Sequence, residues 1–249
     1  MSVLVELENV NFQYDNNSSS ILHDINFVIE KNSFVSLLGP SGCGKSTLLN
    51  LIAGFNPNYA GSIEIGGNKV KNPSKDRGFV FQDLALFPWL SVSENVEFGL
   101  KMQNIPKKAR QQKVKEMIEL VGLTQYTDFP ISSLSGGMRQ RVALARTLAT
   151  EPNILLLDEP FSALDAQTRD VLQEELLSLH HKLNMTTVNV THSIDEAVYL
   201  SDYVILLSKK GTIKEIVKIE LDKPRDRTSS AYNDYEKKLY EFLRNERES

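Results

Sequence analysis

The chain contains little that would staple it, anchor it or charge it strongly. A single cysteine, Cys43, among 249 residues excludes an internal disulfide and removes any argument for an oxidising compartment. No stretch approaches the roughly 20 consecutive apolar residues that cross a bilayer. The opening MSVLVELENV carries acids inside its apolar stretch and lacks the basic start of a signal peptide. Cations are not in excess: 28 Lys and Arg face 32 Asp and Glu, and a net charge of -4 argues against a nucleic-acid surface built on basic residues. Internal repeats are lacking, and the only low-complexity stretch is the polar run NNSSS. The expectation is a soluble, cytosol-facing chain whose membrane role comes through a partner.

What is present is an alternation of two patterns. Phe34 to Leu38, Phe79 to Gln82, Ile154 to Leu157, Thr187 to Val190 and Tyr203 to Leu207 are short apolar or β-branched runs bounded by turn residues. Such runs suit strands buried on both faces of a parallel sheet. Helical stretches fall between them at Lys45 to Ala53, Gly136 to Ala149, Ala166 to Leu183 and Ile194 to Leu200. The order implies βαβ units and a doubly wound α/β core, in one large domain or two small ones. Two regions depart from it. Val3 to Glu30, with Gly61 to Ile65, alternates like antiparallel strands, with turns at Asp15 to Ser20 and Gly66 to Asn68. From about Ala85 to Ser132 lies a helical insertion, in which SVSENVEFGLKM and the charged KKARQQKVKEMIELVGL read as consecutive helices divided by Ile105-Pro106. In the tail, Ser230 to Glu248, near-helical spacing of Tyr232, Tyr235, Leu239 and Phe242 predicts a packed or docking helix.

Three segments carry chemistry. Gly39 to Thr47, GPSGCGKST, matches G-x-x-x-x-G-K-[ST] after a predicted strand and before a predicted helix. Glycines there let backbone N–H groups converge on phosphate oxygens, Lys45 reaches the β- and γ-phosphates, and the Ser46 hydroxyl ligates Mg²⁺. Ile154 to Pro160, ILLLDEP, ends a buried strand on Asp158 and Glu159, at the sheet edge where ligands of open α/β sheets sit. Asp158 is the candidate Mg²⁺ group and Glu159 the candidate to polarise water; alone, either would be an ordinary solvated acid. Leu134 to Gln140, LSGGMRQ, sets Ser135 and the amides of Gly136 and Gly137 at a helix start, as a plain cap or as a second anion site.

The order of LSGGMRQ, VALART, EPNILLLDEP, FSALD and VTHSIDEA resembles the ATP-binding subunits of ABC transporters, from about Val3 to Arg227. The resemblance implies an α/β P-loop NTPase cassette with a RecA-like core. Residues 1–249 would form one nucleotide-binding domain, with an antiparallel β subdomain at about 1–30 and 61–70, a helical subdomain at about 85–150 and a C-terminal helix at about 230–248. The implied ligands are ATP and Mg²⁺. Gly39, Pro40, Ser41, Gly42, Cys43, Gly44, Lys45, Ser46 and Thr47 would hold phosphates. Tyr14 would stack on adenine, where the residue alone reads as a core aromatic. Ser46, Gln82 and Asp158 would serve the metal, and Gln82 would also touch the reacting water beside Glu159. His192 resembles the switch histidine at the γ-phosphate. Ser135, Gly136 and Gly137 would close over ATP held by a second subunit. Asp165 would lie on the loop crossing between subunits, whether or not it also caps the helix from Ala166.

The implied partners are a second copy of the chain or a close paralogue, a transmembrane permease that holds it at the inner face of the cell membrane, and indirectly a solute-binding protein. No nucleic acid is expected. Phe-Pro-Trp-Leu at 87–90, Met138, DEAVYLSDYVILLS and DKPRDR most resemble importers of nitrate, sulfonates and taurine, with relatives for pyrimidine vitamin precursors. The apolar run after Gln82 would receive a permease helix or be core, with Trp89 open to both readings. Ser193 stands where many relatives carry an acid. Cys43, near a helix start, is expected to have a lowered thiol pKa. The rival class, a non-transport ABC ATPase, generally carries a long coiled-coil insertion or tandem cassettes, and neither is present. A module that binds without catalysis would not require Gln82, Glu159 and His192 together.

Overall fold

A computed structural model describes residues 2–14 and 20–248. Of the turn expected at Asp15 to Ser20, all but Ser20 lies outside the described residues. The chain divides into two compact units, Met1–Ser74 with Leu176–Ser249, and Lys75–Glu175.

The first unit opens with β1 (Val3–Phe12), β2 (Leu22–Glu30), β3 (Phe34–Leu38), α1 (Lys45–Ala53), β4 (Ala60–Ile65) and β5 (Asn68–Lys69). The second holds β6 (Arg77–Val80), α2 (Val92–Met102), α3 (Lys107–Leu120), α4 (Gly136–Leu148), β7 (Ile154–Asp158) and the first turns of α5 (Ala166–Leu183). The first unit resumes with β8 (Thr186–Thr191), α6 (Ile194–Leu200), β9 (Tyr203–Leu207), β10 (Ile213–Lys218) and α7 (Ser230–Glu248).

In the first unit β2-β1-β4-β5 form an antiparallel sheet. Period-two alternation sets its register on either side of an irregularity between Leu7 and Val10, where Asn9 takes φ 50°; a slip of one residue would turn Val5 and Leu7, or Val10 and Phe12, out of the core. Val5 pairs with Ile65 and Leu7 with Ile63. A second sheet runs β10-β9-β3-β8, with β3 parallel to both neighbours and buried at every position. Its outer strand, β10, is charged and buries Val217 alone, which suits a guarded edge and hides it from an apolar-run reading. Gly211, between β9 and β10, touches the other sheet: its carbonyl accepts from the His23 amide at 2.9 Å, and an added Cβ would lie 1.7 Å from the Ile21 carbonyl oxygen. In α1, Leu48, Leu49, Leu51 and Ile52 are fully buried. At about 2 kcal/mol for each side chain, this burial fixes the helix that follows the glycine loop. The last helix, α7, buries Tyr232 and Leu239.

In the second unit β6 lies parallel to β7, Val80 opposite Leu157. The strand ends at Val80, so Gln82 stands in the loop beyond it rather than on the strand. Helix α2 begins only at Val92, after a capping box in which Ser91 Oγ accepts from the Glu94 amide and a Glu94 carboxylate oxygen from the Ser91 amide. The first of the two expected helices thus starts within the segment SVSENVEFGLKM, and residues 85–90 are loop. Their backbone finds other partners: buried Asn95 accepts from the Phe87 amide and donates to the carbonyls of Phe87 and Leu90. Among the described residues no helix is long and apolar enough to cross a membrane.

Candidate functional site

In the first unit the loop from Gly39 to Gly44 joins β3 to α1. Gly39 admits no side chain, since a Cβ would lie 2.5 Å from the Leu207 carbonyl oxygen and 2.8 Å from Cys43 Sγ. Gly44 has φ 97° and caps α1 with no side-chain bond, and a helix start of this kind can receive an anion on its first amides. Lys45 is buried, and its ammonium folds over the loop to donate to the carbonyls of Gly39 at 2.9 Å and Pro40 at 3.0 Å. Ser46 is half-buried on the first turn beside it.

Tyr14 is brought to this loop. Its hydroxyl lies 3.2 Å from Thr47 Oγ1, and its ring meets Phe12 edge-on at 5.0 Å between centroids. At 56% exposure it is not a core aromatic. Cys43 corrects an expectation: it is buried, and burial pushes its thiol above the ordinary value despite the opposing charge of Lys45. The helix start was expected to lower it, but desolvation wins.

His192 follows β8 and is exposed. Ser193, which departs from the acid common in relatives, is the N-cap of α6, its hydroxyl accepting from the Glu196 amide at 3.3 Å. The helix that His192 precedes is gripped from two sides. Asn189 donates to the buried Glu196 carboxylate at 2.7 Å. Arg227 and Tyr232 both donate to Asp195, each at 2.7 Å. Nothing in a one-residue motif reading marks Asn189, Asp195 or Tyr232, because each acts through a partner distant in sequence or across a helix turn.

In the second unit Asp158 ends β7 and Glu159 follows in the left-handed region at φ 47°. The amide and hydroxyl of Ser162 donate to the Glu159 carbonyl at 3.2 and 2.9 Å. Gln82 Nε2 donates to a Glu159 carboxylate oxygen at 3.4 Å, so these two candidates share one place.

Ser135 caps α4, its Oγ accepting from the Met138 amide at 3.2 Å. Gly137 is buried against α5: a Cβ there would lie 2.8 Å from Thr168 Cγ2. Asp165 caps that helix in turn by accepting from the Thr168 amide at 3.0 Å, a bond that holds its carboxyl below the usual range. Ser135 is thus a helix cap that stands at the edge of a pocket of ≈ 400 Å³ lined by Ser135, Gly137, Met138, Arg141, Gln167 and Thr168. Trp89 is 75% exposed, which removes it from the core. Arg146 and Asn95, which no motif assigned, hold the loop that carries Gln82 and Trp89; a basic residue in the otherwise apolar run VALART was the available signal.

Residues 22–162 match the ABC transporter family. The chain belongs to that family, as an ATP-binding subunit with ATPase activity and the ABC cassette fold: RecA-like core, antiparallel β part and helical part. It is 49% identical to an uncharacterised ABC transporter ATP-binding protein of Methanocaldococcus jannaschii, over 99% of this chain and 93% of that one. It is 44% identical to an aliphatic sulfonates import ATP-binding protein of Bacillus cereus, over 96% and 94%. Among solved structures it is similar to CbiO1 of Clostridium perfringens, part of the ABC transporter complex CbiONQ, with TM-score 0.81 and 27% identity over 88% of this chain and 90% of that chain. It is also similar to an ATP-binding cassette in a dimeric post-hydrolysis state with ADP and Pi bound, with TM-score 0.75 and 32% identity over 87% and 99%.

Proposed function

We propose that this chain is one cassette of a homodimeric motor that powers import of a small solute through a membrane permease, in the nitrate, sulfonate and taurine class or its vitamin-precursor relatives. The observation that carries the reading is the phosphate loop. Its lysine is already drawn over the loop by two carbonyls, Gly39 and Gly44 leave no room for a side chain, and Tyr14 stands beside it. A concave set of amides with one buried ammonium is built for a polyphosphate, and an exposed aromatic at its rim is built for a base. The importer class draws support from the sulfonate importer subunit's match along nearly the whole chain. The dimer draws support from the dimeric cassette, and the permease from the transporter complex that contains CbiO1.

In this reading the amides of Gly39 to Thr47 and Lys45 hold the phosphates, Glu159 orients the attacking water, and Gln82 positions it through their shared contact. His192 steadies the γ-phosphate, and Ser135, Gly136 and Gly137 serve the nucleotide of the opposite subunit, with Asp165 at the crossing. Chemistry at the γ-phosphate asks for positioning and charge neutralisation more than covalent help. Ser46, Gln82 and Asp158 offer hydroxyl, amide and carboxylate oxygens, a donor set that fits Mg²⁺. When bound, the ion would supply charge neutralisation at the phosphates. The solute-binding protein acts one step away, and the chain itself stays at the inner face of the membrane through its permease.

Glu159→Gln tests the core of the reading. It should retain ATP, lose turnover and sediment as a dimer with ATP present. Recovered from solubilised membranes with a multi-span permease, it would support import; normal turnover, or recovery only with nucleic acid or soluble partners, would overturn it.

A further inference from the structure

The loop from Gln82 to Leu90 is held in a conformation its own side chains disfavour. Leu84 and Ala85 take φ of 64° and 42°, consecutive non-glycine residues in the left-handed region. What holds them is Arg146. One terminal nitrogen donates to the Ala85 carbonyl at 2.5 Å and the other to the Leu84 carbonyl at 2.7 Å. Its guanidinium also lies 5.7 Å from the centre of the Phe87 ring. A planar fork with two parallel donors suits two adjacent carbonyls, whereas an ammonium offers a point charge without that geometry.

The rest of the loop is tied in sequence. Asp83 accepts from the Ala85 amide at 3.1 Å, Asn95 holds Phe87, and Gln82 reaches Glu159. Arg146 stands on α4, the helix that Ser135 caps. That helix runs unbroken from Gly136 to Leu148, its turns joined by backbone hydrogen bonds. A shift at the Ser135 end therefore reaches the carbonyls of Leu84 and Ala85 with no flexible joint between. Sequence separation is large, 61 and 62 residues, so the tie joins two segments that local structure alone would leave independent.

We propose that Arg146 is a positioning residue that couples the helix begun by Ser135 to the loop carrying Gln82, holding that loop so that Gln82 stays on Glu159. The proposal rests on the roles given above to Gln82, Glu159 and Ser135. It needs no contact between Arg146 and the nucleotide, so its signature is a fall in turnover with ATP binding intact.

The only tryptophan of the chain, Trp89, lies on this loop and is exposed, so its fluorescence anisotropy reports the loop directly. In the full-length chain, Arg146→Lys should lower kcat about tenfold, leave KM for ATP within about twofold, and lower Trp89 anisotropy. Adding Ala85→Gly, which tolerates a positive φ without the clamp, should recover kcat to within about threefold of the parent. Wild-type kcat and anisotropy in Arg146→Lys overturn the proposal. So does a loss of rate that comes with lost ATP binding and is not recovered by Ala85→Gly, the pattern of a merely structural residue. Gln82→Ala separates the two layers. Slow turnover there with wild-type behaviour of Arg146→Lys sinks the coupling alone, while normal turnover in Gln82→Ala removes the role of Gln82 and the proposal with it.

Discussion

The phenol of Tyr232 donates to the carboxylate of Asp195 at 2.7 Å, and its oxygen lies 2.9 Å from the Asp195 carbonyl. Asp195 lies in the first turn of α6, three residues beyond His192, so the last helix of the chain is tied to the segment that follows the candidate switch. Arg227 completes the tie, bonding Asp195 from one side while its guanidinium stacks 4.1 Å from the centre of the Tyr199 ring.

Removing that phenol should loosen the tie without emptying the core. Tyr232→Phe is expected to destabilise the first unit by about 1–2 kcal/mol, the usual cost of leaving a part-buried charged acceptor short of a donor. Urea unfolding measures it, and an unchanged midpoint would show that the bond contributes nothing.

Tyr14 separates stacking from hydrogen bonding. Tyr14→Phe keeps the ring and loses only the contact with Thr47, so ATP affinity should change by less than about threefold. Tyr14→Ala loses the ring face and should weaken ATP about tenfold, in line with base stacking on aromatics. Equal affinities for the two variants, by titration calorimetry, would remove adenine stacking from the site.

Alkylation of Cys43 should be slow at neutral pH and accelerate as pH rises past the ordinary thiol value, because burial disfavours the thiolate. Once made, the adduct should block ATPase activity, since Sγ lies where Gly39 has no room to yield, and bound ATP should protect. Rapid labelling at pH 7, or full labelling with activity retained, would contradict this.

His180 gives the first unit an acid sensitivity. It is buried, lies 3.0 Å from Thr187 Oγ1, and burial first, then Lys223, depress its pKa to about 4. The neutral form is therefore favoured in the folded state, and the unfolded chain binds the extra proton between its own value near 6.5 and about 4. Stability is intact above pH 6.5 and falls as pH drops through that window, by up to about 3 kcal/mol. Urea unfolding at pH 7, 5.5 and 4.5 reads the slope, and His180→Gln should flatten it.

The legible parts of this chain are those whose physics is local. Phe34 to Leu38 reads as a buried strand because every position but Ser36 is apolar, and it is buried at every position. Glycine spacing placed the phosphate loop, and Ser135 before two glycines placed a helix start. What escaped depends on distant partners. The path of residues 85–90 has no local signal, because Asn95 and Arg146 take their backbone carbonyls into a loop. Strand β10 was hidden by its charge, since an edge strand needs no apolar run. Cys43 misled for the opposite reason: its helix start is visible in sequence, but the burial that governs its thiol is not.

The close approach of Gly211 to Ile21 bears on how the protein can be modified. Hairpin tips are where reporters and affinity tags are usually tolerated, but this one has no room even for a methyl group. At Gly66 and Gly67, by contrast, an added Cβ meets nothing within 4 Å, so a fluorescent insertion that must leave the two sheets of the first unit joined belongs in the turn between β4 and β5.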